Sequence, residues 1–195
     1  MGIKSIALVI IQGVKPLLWH IYTPDAIPLK PRAKSGVPGN DPNEWTRTVL
    51  FDSQTRQLFI PGFYVYSCLR EAAKQVRKGR IRYQTRIASC LTIMEDRVMV
   101  EDRFLPEEIA SDEKQPVYLD VRAVRNPVTK AMNIRYRVAC GSGWKCSFRI
   151  IWDESLVDES TMKEILETAG SLVGIGNGRG IGMGRFDILK FEIIS

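Results

Sequence analysis

With 195 residues and 45% hydrophobic side chains, the chain can bury a substantial core, which excludes wholesale disorder and favours one domain over 1–195. Four cysteines at irregular spacing (Cys68, Cys90, Cys140, Cys146) and a single histidine exclude the usual zinc patterns, so no metal or cofactor is expected and the thiols are expected to be reduced. The net charge is +6, no apolar run is long enough to span a bilayer and no signal peptide is read, so a cytoplasmic protein without a membrane partner is expected.

Residues 5–12 (SIALVIIQ) are apolar and rich in β-branched side chains, as expected of a central strand buried on both faces. Residues 22–47 form a proline-rich inserted loop, with Pro24, Pro28, Pro31, Pro38 and Pro42, and a loop this long in a compact domain is usually functional or disordered. A short hairpin is expected from 48–51 with 58–60. Pro61 then opens a helix whose apolar stripe is Val65, Cys68, Leu69, Ala72 and Val76, and Gly79 ends it. The stretch 87–100 is ambiguous, and strands are expected at 117–123, 134–139 and 145–152. The breaks at 126–130 and at Gly141-Ser142-Gly143 mark hairpins. Thr161 with Glu164 forms a capping box for a second helix with Met162, Ile165, Leu166, Ala169 and Val173 on its buried side, and 186–194 is the last strand. The order β, α, β-hairpin, α, β predicts an α+β, ferredoxin-like (βαββαβ, RRM-like) core with an antiparallel sheet. The strands near Thr48 and in 117–152 would then be insertions or extensions.

Charge is unevenly spread. Arg70, Lys74, Arg77, Lys78, Arg80, Arg82 and Arg86 stand against the single acid Glu71, whereas 95–113 is acidic. Such asymmetry builds a positive face for a polyanion, although a solvated helix followed by a basic loop would look the same.

The segment GIGNGRGIGMGRF runs from Gly174 to Phe186 with glycine at every second position to Gly184. Its even offsets exclude the dinucleotide fingerprint, and the missing GK[ST] excludes a P-loop. Gly174, Gly176, Gly178, Gly180 and Gly182 let the backbone approach a ligand, successive N–H groups can cradle phosphate oxygens, and Arg179 and Arg185 add charge beside them. A glycine connector or glycine-packed turn is the plainer alternative.

This loop, before a terminal strand and after a ferredoxin-like order, resembles the glycine-rich loop of the RAMP superfamily of CRISPR-associated RNA-binding proteins. Residues 59–74 (FIPGFYVYSCLREAAK) resemble the IPGSSLKGALR stretch of RAMP backbone subunits: Ile60, Pro61, Gly62, Leu69 and Arg70 match, while Phe63, Tyr64, Val65 and Tyr66 replace its serines and lysine. The resemblance implies a non-enzymatic subunit in antiviral defence. It would bind guide or other single-stranded RNA by its phosphates and assemble side by side, as a homo-oligomer or with other CRISPR-type subunits. It also implies a thumb over the RNA, for which residues 30–47, with Arg32 and Lys34, are the candidate.

One branch of the superfamily comprises metal-independent endoribonucleases, and His20 with Tyr22 and a nearby lysine would suffice chemically for that alternative. In another branch a loop aspartate helps a metal to cleave RNA, a place that Asp25 or Asp41 could take. A scaffold subunit that binds only protein is the third class. Trp19, Trp144 and Trp152 read as core, and Trp45, in the polar loop, is the base-stacking candidate.

Overall fold

The computed structural model describes residues 4–21, 41–125, 128 and 130–194. Most of the proline-rich loop, with Tyr22, Asp25, Arg32 and Lys34, lies outside the described residues, so the thumb expectation falls there.

β1 (Lys4–Gly13) sits between two antiparallel neighbours, β11 (Phe186–Ile193) and β10 (Lys145–Asp153). Beyond β10 lie β7 (Arg97–Phe104) and β3 (Gln57–Pro61), giving the order β11-β1-β10-β7-β3. A two-residue strand, β6 (Thr92–Ile93), also pairs with β10. The strand 5–12 is central as expected, but only Ala7, Val9 and Ile11 are fully buried, and the alternate side chains are half-covered. Two-residue periodicity explains this: helices cover one face of the sheet.

That cover comes from α1 (Gly62–Ala72) and α3 (Glu159–Thr168), which contact each other, while α2 (Tyr83–Cys90) contacts α1 and β10. Val65, Cys68, Leu69 and Ala72 of α1 and Met162, Ile165 and Leu166 of α3 join Phe148, Ile150 and Trp152 in one core. Each large apolar side chain so buried contributes about 1.5–3 kcal/mol.

The sequence expectation for the first helix needs correction. α1 stops at Ala72; Lys74 N–H and Gln75 N–H close tight turns onto the Glu71 and Ala72 carbonyls. Val76 is buried from that turn rather than from a helix, which kept the apolar period running. Gly79 (φ 64°) is the tip of a hairpin between β4 (Arg77–Lys78) and β5 (Ile81–Arg82). The cap of α3 also lies three residues earlier than Thr161. Asp158 is the N-cap, accepting from the Thr161 N–H at 2.9 Å and from its hydroxyl, and Thr161 is buried beneath it.

The second sheet holds β2 (Leu17–Leu18), β9 (Met132–Cys140) and β8 (Val117–Arg125), in the order β2-β9-β8. β8 and β9 form the expected hairpin. Gly141 to Gly143 do not form one: they carry the chain from β9 into the large sheet, where Gly143 N–H bonds the Gly13 carbonyl at 2.7 Å. β10 is therefore a central strand of the main sheet and no insertion. The expected hairpin at 48–60 reduces to one bridge, Phe51 with Leu58, ahead of β3. The antiparallel α+β architecture is consistent with a ferredoxin-like fold. Among the described residues no helix is long and apolar enough to cross a membrane.

Candidate nucleic-acid interface

After α3 the chain makes a π-helical turn (Ala169–Val173) and enters the glycine segment, which a short 3-10 turn (Arg179–Ile181) interrupts. The loop is folded tightly on the protein. Ile175 N–H bonds the Gly184 carbonyl at 2.9 Å, Gly184 N–H bonds Pro16 at 2.8 Å, and Asn177 N–H bonds Leu18 at 2.9 Å. Two glycines are required by these contacts. Gly176 has φ 83° and a Cβ there would stand 2.7 Å from the Leu18 carbonyl oxygen; Gly184 has φ 69° and its Cβ would stand 1.8 Å from that of Ile175. Gly180 differs: its φ is not positive and a Cβ would meet nothing within 4 Å.

The loop and α1 wall a cleft of about 640 Å³. Glu71 of α1 and Gln75, in the turn that follows it, form one side; Leu172, Val173 and residues 176–180 form the other. A second hollow of about 260 Å³ continues it toward the start of α1, lined by Phe63, Tyr64 and Ser67 against Ile175, Asn177 and Arg179. Among the described residues, the N–H groups of Gly176, Gly178, Arg179 and Gly180 make no hydrogen bond, and all four residues line the larger cleft. The amides of 174, 175, 177 and 181–184 are consumed inside the protein. Only part of the expected cradle is thus available to a ligand.

Arg179 is exposed and makes no ion pair among the described residues. Arg185 is half-buried, and its Nη1 is buried without a hydrogen-bond partner. Burial pushes the Cys68 thiol up to about 12 against the pull of Arg179 and Arg185, so both guanidinium groups lie within electrostatic reach of α1. Burial likewise raises the Tyr64 hydroxyl, again against Arg179.

Arg179 lines the cleft and the adjoining hollow, whereas Arg185 and the other expected cations do not. Arg70 is exposed on α1, and Lys74 is held by Glu71 at 2.6 Å. Lys78 is held by Asp158, the N-cap of α3, at 3.3 Å, and Arg86 donates to the Leu156 carbonyl. Arg77, Arg80 and Arg82 are exposed and have no acidic partner among the described residues, and Arg77 stands directly opposite Arg82 across the hairpin. Like charges so placed repel unless an anion lies over them. The basic helix of the sequence expectation is therefore a separate basic hairpin.

Sequence reasoning missed Asn177 as a positioned group. Its Oδ1 accepts from Arg137 Nη1 at 2.8 Å, and Arg137 Nη2 is paired with Asp120 at 2.8 Å, with 4% and 1% of their side chains exposed. No signal in the sequence joins three residues so far apart. Phe63 was legible only as a replaced serine.

His20 Nε2 lies 2.9 Å from Glu44 Oε1, which also pairs with Arg135, and the His20 side chain is 9% exposed. Asp41 pairs with Arg47 and accepts from the Asn43 N–H. Trp45 packs partly buried against the core and keeps part of its surface exposed, while Trp19, Trp144 and Trp152 are buried as expected. All four cysteines are free, and no cluster of three metal-ligating side chains occurs among the described residues.

No family model matches the chain, and no curated protein matches it. Among solved structures, it is similar to a chain from the cryo-EM structure of the type III-B Cmr-beta bound to cognate target RNA. The TM-score is 0.58 at 14% identity, over 98% of this chain and 61% of that one. The chain thus spans about three fifths of that neighbour's length, and the likeness is one of fold.

Proposed function

We propose that the protein binds single-stranded RNA along its sugar-phosphate backbone in the cleft between α1 and the glycine loop, as a non-enzymatic, RAMP-like subunit of a CRISPR-type ribonucleoprotein. The observation that carries the reading is the coincidence, on one wall, of four unbonded amides and the unpaired Arg179. Amides and a guanidinium so arranged complement phosphate oxygens without reading bases. Two further facts support it: the order β11-β1-β10-β7 with α1 and α3 as crossovers suits a βαββαβ core, and the neighbour of similar fold comes from a structure of a type III-B Cmr-beta bound to target RNA. Assembly with further copies, or with other subunits along the RNA, belongs to the same reading.

The endoribonuclease alternative has less support. His20 is mostly covered and held against Glu44, an arrangement suited to a structural ion pair. Incubating labelled RNA with the protein in EDTA tests it: no site-specific products are expected, and products that vanish in His20→Ala would install the alternative.

The binding test is fluorescence anisotropy with single-stranded RNA across a salt series. Affinity should fall with salt by about 0.7 log units per decade for each phosphate contact. Arg179→Ala with Arg185→Ala should weaken binding and flatten that slope by one to two contacts. Arg77→Ala, Arg80→Ala and Arg82→Ala together should flatten it separately if RNA also crosses the hairpin. No RNA binding by the wild type at low salt would sink the proposal.

A further inference from the structure

We infer that the hollow at the start of α1 is a nucleobase subsite, in which Phe63 stacks on one base of the bound RNA. The inference rests on the RNA-binding reading above and adds a contact to the base rather than to the backbone. Phe63 is 60% exposed although it belongs to the first turn of a well-anchored helix. Gly62 N–H bonds the Asp96 carbonyl at 2.9 Å, and Tyr64 meets the Phe63 ring edge-on, with centroids 4.9 Å apart and planes at 86°. The ring is therefore presented by a fixed backbone and steadied from one side, leaving its remaining surface to the hollow.

The hollow's polar groups suit a base edge and a flanking phosphate. Ser67 lies one turn beyond Phe63, is exposed, and makes no hydrogen bond among the described residues, so its hydroxyl can donate or accept. Arg137 can only donate, so its bond to Asn177 fixes that amide with Oδ1 inward and leaves the Nδ2 donor for the hollow. Arg179 closes the same space with a free positive charge. An exposed aromatic ring, two hydrogen-bonding groups and an unpaired cation within about 260 Å³ favour a planar heterocycle attached to an anionic chain over an apolar peptide side chain.

The test compares wild type, Phe63→Ala and Phe63→Tyr on two ligands: single-stranded oligoribonucleotide, and the same backbone made abasic throughout. Because the ring is exposed, none of the variants should lose thermal stability. Stacking contributes about 1–3 kcal/mol per base, so Phe63→Ala should weaken intact RNA about 5- to 150-fold. It should leave the abasic chain and the salt slope unchanged, and Phe63→Tyr should restore binding. A 2-aminopurine placed in the RNA should be quenched by wild type and much less by Phe63→Ala. Equal loss on both ligands, or no loss on RNA that wild type binds, overturns the inference while leaving backbone binding intact; the second outcome would point to a protein partner for the ring. Failure of the wild type to bind either ligand overturns the RNA reading itself, and this inference with it.

Discussion

Replacing Gly184 by alanine separates the loop's packing from its contact with a ligand. The residue sits at φ 69°, and an added Cβ would lie 1.8 Å from the Ile175 carbonyl oxygen and 2.9 Å from the Ile175 nitrogen. Holding alanine in the left-handed region costs about 1 kcal/mol. The clash is with backbone, so it is relieved only by parting the two strands of the loop. That gives up the Ile175–Gly184 hydrogen bond at 2.9 Å or the Gly184–Pro16 bond at 2.8 Å, each contributing about 1 kcal/mol net. The sum is about 2–3 kcal/mol, or a fall of about 4–12 °C in thermal midpoint for a chain of this size. Gly180→Ala is the control: with no atom within 4 Å of its Cβ and no positive φ, its midpoint should match wild type. Its RNA affinity should nonetheless fall, because the methyl group would take up space in the cleft that the ligand would fill beside the unbonded amides of 178–180. Both are measured by thermal unfolding beside anisotropy. A Gly184→Ala protein as stable as wild type would refute the packing argument, and a Gly180→Ala protein with full affinity would remove its amide from the contact.

Three further outcomes are expected. Asp120→Leu should cost about 3–5 kcal/mol in urea unfolding, because it strands the buried Arg137 charge. Adding Arg137→Met should recover part of that loss, and a purely additive double variant would contradict the ion-pair account. Asp158→Ala should remove about 1 kcal/mol of cap stabilisation at neutral pH. Hydrogen bonds from Ser160 first, then Thr161 and Lys78, hold the Asp158 carboxyl well below its ordinary 3.8. A lowered carboxylate stabilises the fold above its unfolded value and ceases to as pH falls through its folded value, so the wild-type advantage in midpoint should persist at pH 5 and close only in strong acid. Cys90, half-exposed, should react first with a thiol reagent, while Cys68, Cys140 and Cys146 wait for unfolding because burial raises all three. Rapid reaction of a second thiol in the native state would contradict the burial.

The legible parts of the fold were those in which one period ran uninterrupted. β1 shows as a run of β-branched apolar residues, and it, β8, β9, β10 and β11 were each placed within about two residues; α3 carries a clear stripe, although its cap was expected three residues late. The failures have local causes. Val76 lands on the stripe of α1 but is buried from a turn, which hid the end of the helix at Ala72. Gly141 and Gly143 have turn chemistry, but nothing in them says that the chain changes sheets. In the candidate site, Arg179 and the glycines were legible from composition, because unpaired charge among glycines is unusual. Which amides stay free was not, since the even spacing is the same at Gly176 and Gly182 while their hydrogen bonds differ. Asn177 depended on Arg137 and Asp120, whose pairing is a tertiary fact.

The side chains between the glycines explain how the loop can serve both structure and ligand. Ile175 is buried in the main core, and Met183 packs on the small cluster of Leu18, Tyr118 and Ala139. With Asn177 tied to Arg137, the loop is anchored at three points, and Arg179 and Ile181 are what remain exposed at its tip. The backbone entropy of a glycine-rich segment is thus lost on folding, before any ligand arrives. A preordered wall loses little further freedom on binding, so charge–phosphate and stacking energy would pass into affinity nearly undiminished. The salt dependence of binding should then follow the arginines, and the glycines should matter through the shape they permit.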